Sequence, residues 1–245
     1  MLLKSLWLAL IALLLIPTNL TAQIDEDQMG AWYMYFWTAK LKQKQSRKQG
    51  YDQSVIGLQG DVQFRNWNLG GDLEQLLLRG GLTYKPAGTN ALLTLGYGNI
   101  QTGEFGDGTE TVSESRIYQE ALLPHKIGKR IYLKHRFRYE QRFVSGQDFR
   151  TRYRYNLFFT VPLNQETLGQ GAIYLALYNE LFINGQREIG DGRTVEIFDR
   201  NRLYGALGYS VRDNLKVQLG LMQQTTDNWQ KNQIQLSLHH NIGAK

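Results

Sequence analysis

The sequence predicts an all-β fold, an antiparallel transmembrane up-and-down β-barrel of about ten strands, with twelve as the alternative. Three observations predict it. Residues 130–161 alternate apolar and charged side chains through two successive strands, the strands from residue 54 onward are joined in turn by a longer polar loop and a shorter turn, and the chain opens as an export signal does.

The alternation is clearest in the centre of the chain. Every second residue from Ile131 reads Ile131, Leu133, His135, Phe137, Tyr139, Gln141 and Phe143, and the set between them reads Arg130, Tyr132, Lys134, Arg136, Arg138, Glu140 and Arg142. After a break at residues 145–148 the pattern resumes, with Phe149, Tyr153, Tyr155, Leu157, Phe159 and Val161 set against Arg150, Arg152, Arg154 and Asn156. A period of two places each set on its own face of a strand. One face is apolar and aromatic, and the other is strongly cationic. In a membrane barrel the apolar set meets lipid and the charged set lines a wet interior; in a soluble barrel or sandwich the apolar set is the core.

Composition and the N-terminus narrow that choice. No stretch in the middle of the 245 residues looks like a linker, so residues 23–245 read as a single domain. Mean hydropathy is -0.41, and beyond the N-terminus no stretch approaches the roughly 18 apolar residues of a spanning helix, which excludes a helical membrane protein. The 25 Gly, 14 Tyr and 10 Phe against only 4 Pro suit tight turns and long strands. Cysteine is absent, so neither a disulfide framework nor thiol chemistry is available and β pairing must carry the stability. A net charge of +6 raises nucleic acid as a partner, but export argues against it. Met1-Leu2-Leu3-Lys4 is a short basic start, residues 6–16 are an apolar core, and residues 17–22 lead to a small residue before Gln23. Residues 1–22 are therefore expected to be a signal peptide cleaved after Ala22. The rival, an uncleaved anchor helix, needs a longer run. No Cys follows to take a lipid anchor.

The elements follow in order. Residues 30–42 crowd Trp32, Tyr33, Tyr35, Phe36 and Trp37 together without clean alternation, as in a strand buried on both sides or an aromatic rim strand. After a basic connector at 40–50, Ile56, Leu58, Val62 and Phe64 alternate with Gln59, Asp61, Gln63 and Arg65. A loop at 66–72 precedes Leu76, Leu78, Leu82 and Tyr84, which alternate with Gln75, Leu77, Arg79 and Thr83, and residues 85–90 form a turn. Strand 91–101, the glycine-rich acidic loop 102–112 and strand 114–123 come next, the last with Arg116, Tyr118 and Glu120 on one face. Beyond the central hairpin and a turn at 163–171, strand 172–183 sets Tyr174, Tyr178 and Glu180 opposite Leu175, Leu177 and Leu181. The longest loop, 184–199, precedes strands 202–211, 215–223 and 233–242. Strands of roughly 11 to 13 residues exceed those common in globular domains and fit a tilted membrane crossing. Aromatics near strand ends (Tyr84, Tyr97, Phe143, Phe149, Tyr209), with Trp67 and Trp229 in adjacent loops, resemble interfacial girdles. Counting residues 30–42 as a strand makes eleven, whereas bacterial barrels usually have an even number. Loop parity favours ten, with residues 30–42 packed elsewhere.

Several stretches also carry a resemblance. Gly30-Ala31-Trp32-Tyr33-Met34-Tyr35, the run Arg65-Asn66-Trp67-Asn68 with residues 72–79, residues 135–143, and Asn201-Arg202-Leu203-Tyr204 resemble a numbered family of unknown function found in Gram-negative bacteria. The resemblance covers essentially the whole mature chain. It implies an outer-membrane β-barrel and brings no established activity or catalytic residues. The chain ends in His239-His240-Asn241-Ile242 and a short tail, not in a terminal aromatic, which makes its assembly signal atypical.

The face assignment gathers basic groups inside. Arg65, Arg79, Arg116, Lys134, Arg136, Arg138, Arg142, Arg150, Arg152, Arg154, Arg202 and Lys216 outnumber Asp61, Glu114, Glu120, Glu140 and Glu180. Like charges on neighbouring strands are destabilising unless carboxylates, water or anions intervene. One expectation is a narrow anion-attracting pore, since arginine rings select anions and bind carboxylate or phosphate in a bidentate way; its heart would be Arg136, Arg138, Arg142, Arg150, Arg152 and Arg154. The alternative is a closed scaffold plugged by its own side chains, or a barrel holding lipid or lipopolysaccharide phosphates at its rims. The expected partners are membrane lipids, small anionic solutes if the lumen is open, and the assembly machinery of the outer membrane, with no nucleic acid, metal or cofactor. An enzyme is not expected, since a nucleophile needs a base within hydrogen-bond reach. Ser237 and His239 share a face but are spaced too far for relaxed contact, His239 and His240 point to opposite faces, His125 lies beside Pro124 near a turn, and His135 falls on the apolar face. A soluble lipid-binding barrel would need shorter strands with fewer aromatics at their ends.

Overall fold

The computed structural model describes residues 28–43, 54–106 and 108–243. The expected signal peptide (1–22) lies outside them, as does most of the basic connector at 40–50. Among the described residues there is no helix. Eleven strands close into one barrel: β1 (Gly30–Gln43), β2 (Val55–Asn66), β3 (Leu73–Lys85), β4 (Leu92–Gly103), β5 (Thr111–Ile127), β6 (Ile131–Val144), β7 (Arg150–Pro162), β8 (Ile173–Asn184), β9 (Phe198–Arg212), β10 (Leu215–Thr225) and β11 (Gln230–Ile242).

The expected counts of ten and twelve are corrected to eleven, and residues 30–42 do not pack elsewhere. β1 is a wall strand, antiparallel to β2 and parallel to β11, with register running from Gly30↔Gln233 to Ala39↔Ile242. The reason is geometric. In an up-and-down meander an odd number of strands leaves the first and last pointing the same way, so the seam that removes both free edges must be parallel. One barrel end carries the connections at 67–72, 104–110, 145–149, 185–197 and 226–229, and is called here the loop end. The other carries the connections at 86–91, 128–130, 163–172 and 213–214, and is called the turn end.

Alternation sorts the side chains as the sequence predicts. Leu95, Phe137, Tyr153, Leu203, Leu207 and Leu219 are exposed on the outer wall, while Arg138, Glu140, Arg154 and Glu180 are buried within. Away from the strand ends, the outward positions include no Asp, Glu, Lys or Arg among the described residues. The polar exceptions are neutral, and Asn179 and Asn201 satisfy each other through amide hydrogen bonds of 2.9 and 3.2 Å. β1 lacked visible alternation because both of its faces are aromatic: Trp32 is buried in the lumen, while Tyr33 is exposed outside. Trp67, expected in an interfacial girdle, is instead buried at the loop end, edge-on to Phe105 and Trp229.

Two tyrosines lie flat against the inner wall. Tyr118 and Tyr174 each face a glycine in register, Gly96 and Gly208, and a Cβ at either glycine would fall within the ring. This close approach holds the rings to the wall and leaves room beside them.

Candidate functional site

The lumen is built by one chemical fact, that a buried guanidinium needs acceptors. Glu114 accepts from Arg116 at 2.6 and 2.7 Å and also from Arg142. Glu140 accepts from Arg152 at 2.7 Å and Arg154 at 2.6 Å, and Arg152 reaches Asp199 at 2.8 Å. Glu180 bonds Arg136 at 2.6 Å and also Arg154, while Glu120 accepts from Arg138 at 2.7 Å. On the adjoining wall Asp61 holds Arg79 at 2.9 Å. Asp199, Arg152, Glu140, Arg154, Glu180 and Arg136 thus form one connected chain of charges.

Side chains also cross the lumen. Gln59 on β2 donates to Glu120 on β5 at 2.9 Å, Tyr178 on β8 donates to Gln235 on β11 at 3.3 Å, and Gln233 on β11 donates to Glu74 on β3 at 3.2 Å. Trp32 lies between two guanidiniums, with Arg65 3.8 Å and Arg202 4.8 Å from its ring, and its indole N–H donates to Glu74 at 2.7 Å. Arg202 also reaches Gln224 at 2.6 Å and faces Phe182 at 4.7 Å. These cations meet aromatic faces where carboxylates run short.

Every expected lumen residue faces inward: Arg116, Lys134, Arg136, Arg138, Arg142, Arg150, Arg152, Arg154 and Arg202, with the carboxylates Glu120, Glu140 and Glu180. What the alternation does not foresee is how far the arginine ladder is paired: Arg136, Arg138, Arg142, Arg152 and Arg154 each meet a carboxylate, whereas Arg150 forms no ion pair among the described residues and its Nε is buried without a hydrogen-bond partner. Glu74 and Asp199 supply part of the difference, and both sit where the register slips. Arg65 and Asn66 pair with Gln75 and Leu73, and Phe182 and Ile183 pair with Arg200 and Phe198, so Glu74 and Asp199 are each the extra residue of a β-bulge. A bulge re-aims one side chain. A signal existed in each case: Glu74-Gln75 and Asp199-Arg200 are adjacent polar pairs, which a strand with one apolar face cannot place in regular alternation.

The histidines divide as expected, with one correction. His239 points inward and stacks on Phe36 at 4.9 Å, while His240 contacts Tyr35 at 3.0 Å. His135 stacks on His125 at 5.3 Å and contacts Tyr155 at 2.8 Å. Ser237 and His239, expected to be too far apart, lie 3.0 Å apart from Oγ to Nε2, because pleat and side-chain reach together span the two-residue separation. No carboxylate orients the ring from its other side among the described residues.

The packing opens into a cavity of about 730 Å³, which runs from Trp32, Arg65 and Arg202, past Arg138, Glu120 and Arg154, to Asn90, Lys126, Asn214 and Asn241 at the turn end.

A family model described as a protein of unknown function (DUF2490) matches residues 29–235, most of the chain and nearly the whole barrel. The chain belongs to the DUF2490 family. No curated protein and no solved structure matches it. In this DUF2490 barrel the matched segment begins just before β1 and ends within β11, so the family model includes β1 and the first part of β11.

Proposed function

We propose that this DUF2490 chain is an integral outer-membrane β-barrel, exported from the cytoplasm of a Gram-negative bacterium and closed to ion flow by its own side chains. The observation that carries the membrane reading is the outer wall: large apolar residues exposed on strand after strand, with no formal charge away from the strand ends among the described residues. Lipid accepts such a surface, whereas in water a contiguous apolar belt is an aggregation hazard. Strands of 11 to 17 residues are long enough for a tilted crossing.

Closure is supported by the connected ion pairs, the chords across the lumen and the aromatic cluster at the loop end. A narrow anion pore is the second reading, favoured by Arg65 and Arg202, which meet rings and amides in place of carboxylates. The closed reading has the advantage that Arg136, Arg138, Arg142, Arg152 and Arg154 are already committed to internal acids. Basic groups at the rims, such as Lys126, Lys129 and Arg130, suit phosphates of membrane lipids or lipopolysaccharide. No catalytic step is proposed.

The test is single-channel recording of the barrel in planar bilayers. Insertion without conductance steps is expected. Anion-selective steps that disappear in the Arg138→Ala/Arg152→Ala variant would establish the pore reading instead, and failure to insert would overturn the membrane reading.

A further inference from the structure

The cavity at the turn end holds basic groups that the ion-pair chain does not reach. Lys134 and Lys216 line it, and neither forms an ion pair among the described residues; Lys134 Nζ lies 4.3 Å from the centre of the Phe158 ring. Lys216 is the register partner of His239, and both line the cavity together with Lys134. Of the nearby acids, Glu120 is bonded to Arg138, and Asp213 accepts from the Gln170 backbone N–H. Strands β6, β10 and β11 therefore bring together three nitrogen groups with no acid bonded to them. Ser237, 3.0 Å from His239, adds a hydroxyl.

The strands that flank β10 and β11 have the other character. Trp32, Tyr174 and Tyr204 belong to a buried apolar cluster, against which Met34 and Tyr178 pack. A volume of about 730 Å³ falls within the range of small-molecule sites, which join apolar walls to a few convergent polar groups. Ammonium groups serve as point-charge donors that do not demand a planar partner.

We propose that this vestibule binds an anionic amphiphile, with a carboxylate or phosphate monoester head on Lys134, Lys216 and the Ser237–His239 pair and an apolar tail against the tyrosine and tryptophan wall. The inference rests on the closed-barrel reading, because a lumen blocked at the ion-pair layer makes the vestibule a dead end and not a passage.

The test uses protein purified from the outer-membrane fraction of cells expressing the full chain and placed in zwitterionic nanodiscs. Octanoate, octyl phosphate, octanol and inorganic phosphate are titrated by calorimetry, with empty nanodiscs subtracted. Saturable binding of octanoate or octyl phosphate is expected, about tenfold or more tighter than octanol or inorganic phosphate; the tighter anion identifies the head group. Lys134→Met and Lys216→Met should each weaken it about tenfold, the loss of one charged hydrogen bond, while Lys134→Arg retains it. Anions that bind no tighter than octanol, or methionine variants that fold and bind unchanged, would overturn the site. Inorganic phosphate binding as tightly as octyl phosphate would overturn the role of the apolar wall. Should a methionine variant fail to fold, the comparison of octanoate with octanol on the native protein decides. Insertion and conductance are recorded on the same preparations. An inserted, non-conducting barrel that does not bind sinks this inference alone, whereas a conducting one sinks the reading beneath it.

Discussion

Glu140 shows what a single carboxylate does in this lumen. It is 1% exposed and accepts from Arg152 and Arg154, with Arg138 3.7 Å away. A buried ion pair gains little over a well-packed apolar pair, but removing one partner strands the other charge at a cost of about 3–5 kcal/mol. Glu140→Gln should therefore lower the stability of the folded barrel by about that amount, read as a fall in the urea midpoint of heat-modifiable gel migration. A change below about 1 kcal/mol would mean that water already solvates these guanidiniums. Glu140 was legible as a lumen residue from alternation alone, but Glu74 and Asp199 were not. Their inward aim depends on two bulges, and a bulge is a disagreement between neighbouring strands that no single strand's period contains.

At the scale of elements, the β1–β11 seam decides the architecture. Tyr33 on β1 and Leu236 on β11 are outward register partners, and neighbouring strands lie about 4.8 Å apart. Because the chain has no cysteine, Tyr33→Cys with Leu236→Cys gives a clean pair. A thiol linker of about 5 Å should join them within one molecule, visible by gel mobility and peptide mass. Phe64→Cys with Leu236→Cys is the control, since β1 stands between β2 and β11. The reverse pattern would restore the ten-strand barrel. The central hairpin was legible because its two faces differ so strongly. β1 was not, because aromatics on both faces erase the contrast that reveals a period of two.

For the whole molecule, the outer wall makes the prediction. Leu207 is 60% exposed and lies in register with Leu175 and Leu219 on the neighbouring strands. In a bilayer, Leu207→Arg should cost about 2–4 kcal/mol of folding free energy, whereas on a water-exposed wall it would be nearly neutral. Urea titration of folding into liposomes measures it. Neutrality would mean that the apolar belt faces water and would overturn the membrane reading.

The sequence by itself determined the class of fold, the inward and outward face of nearly every strand from β2 to β11, and the cationic lining, because these depend only on a local period of two and on turn chemistry. The strand count, the parallel seam, the pairing of the arginines and the vestibule were decided by tertiary structure. Each depends on which strands become neighbours and on how far a side chain reaches across the lumen, and such distances exist only once the barrel has closed.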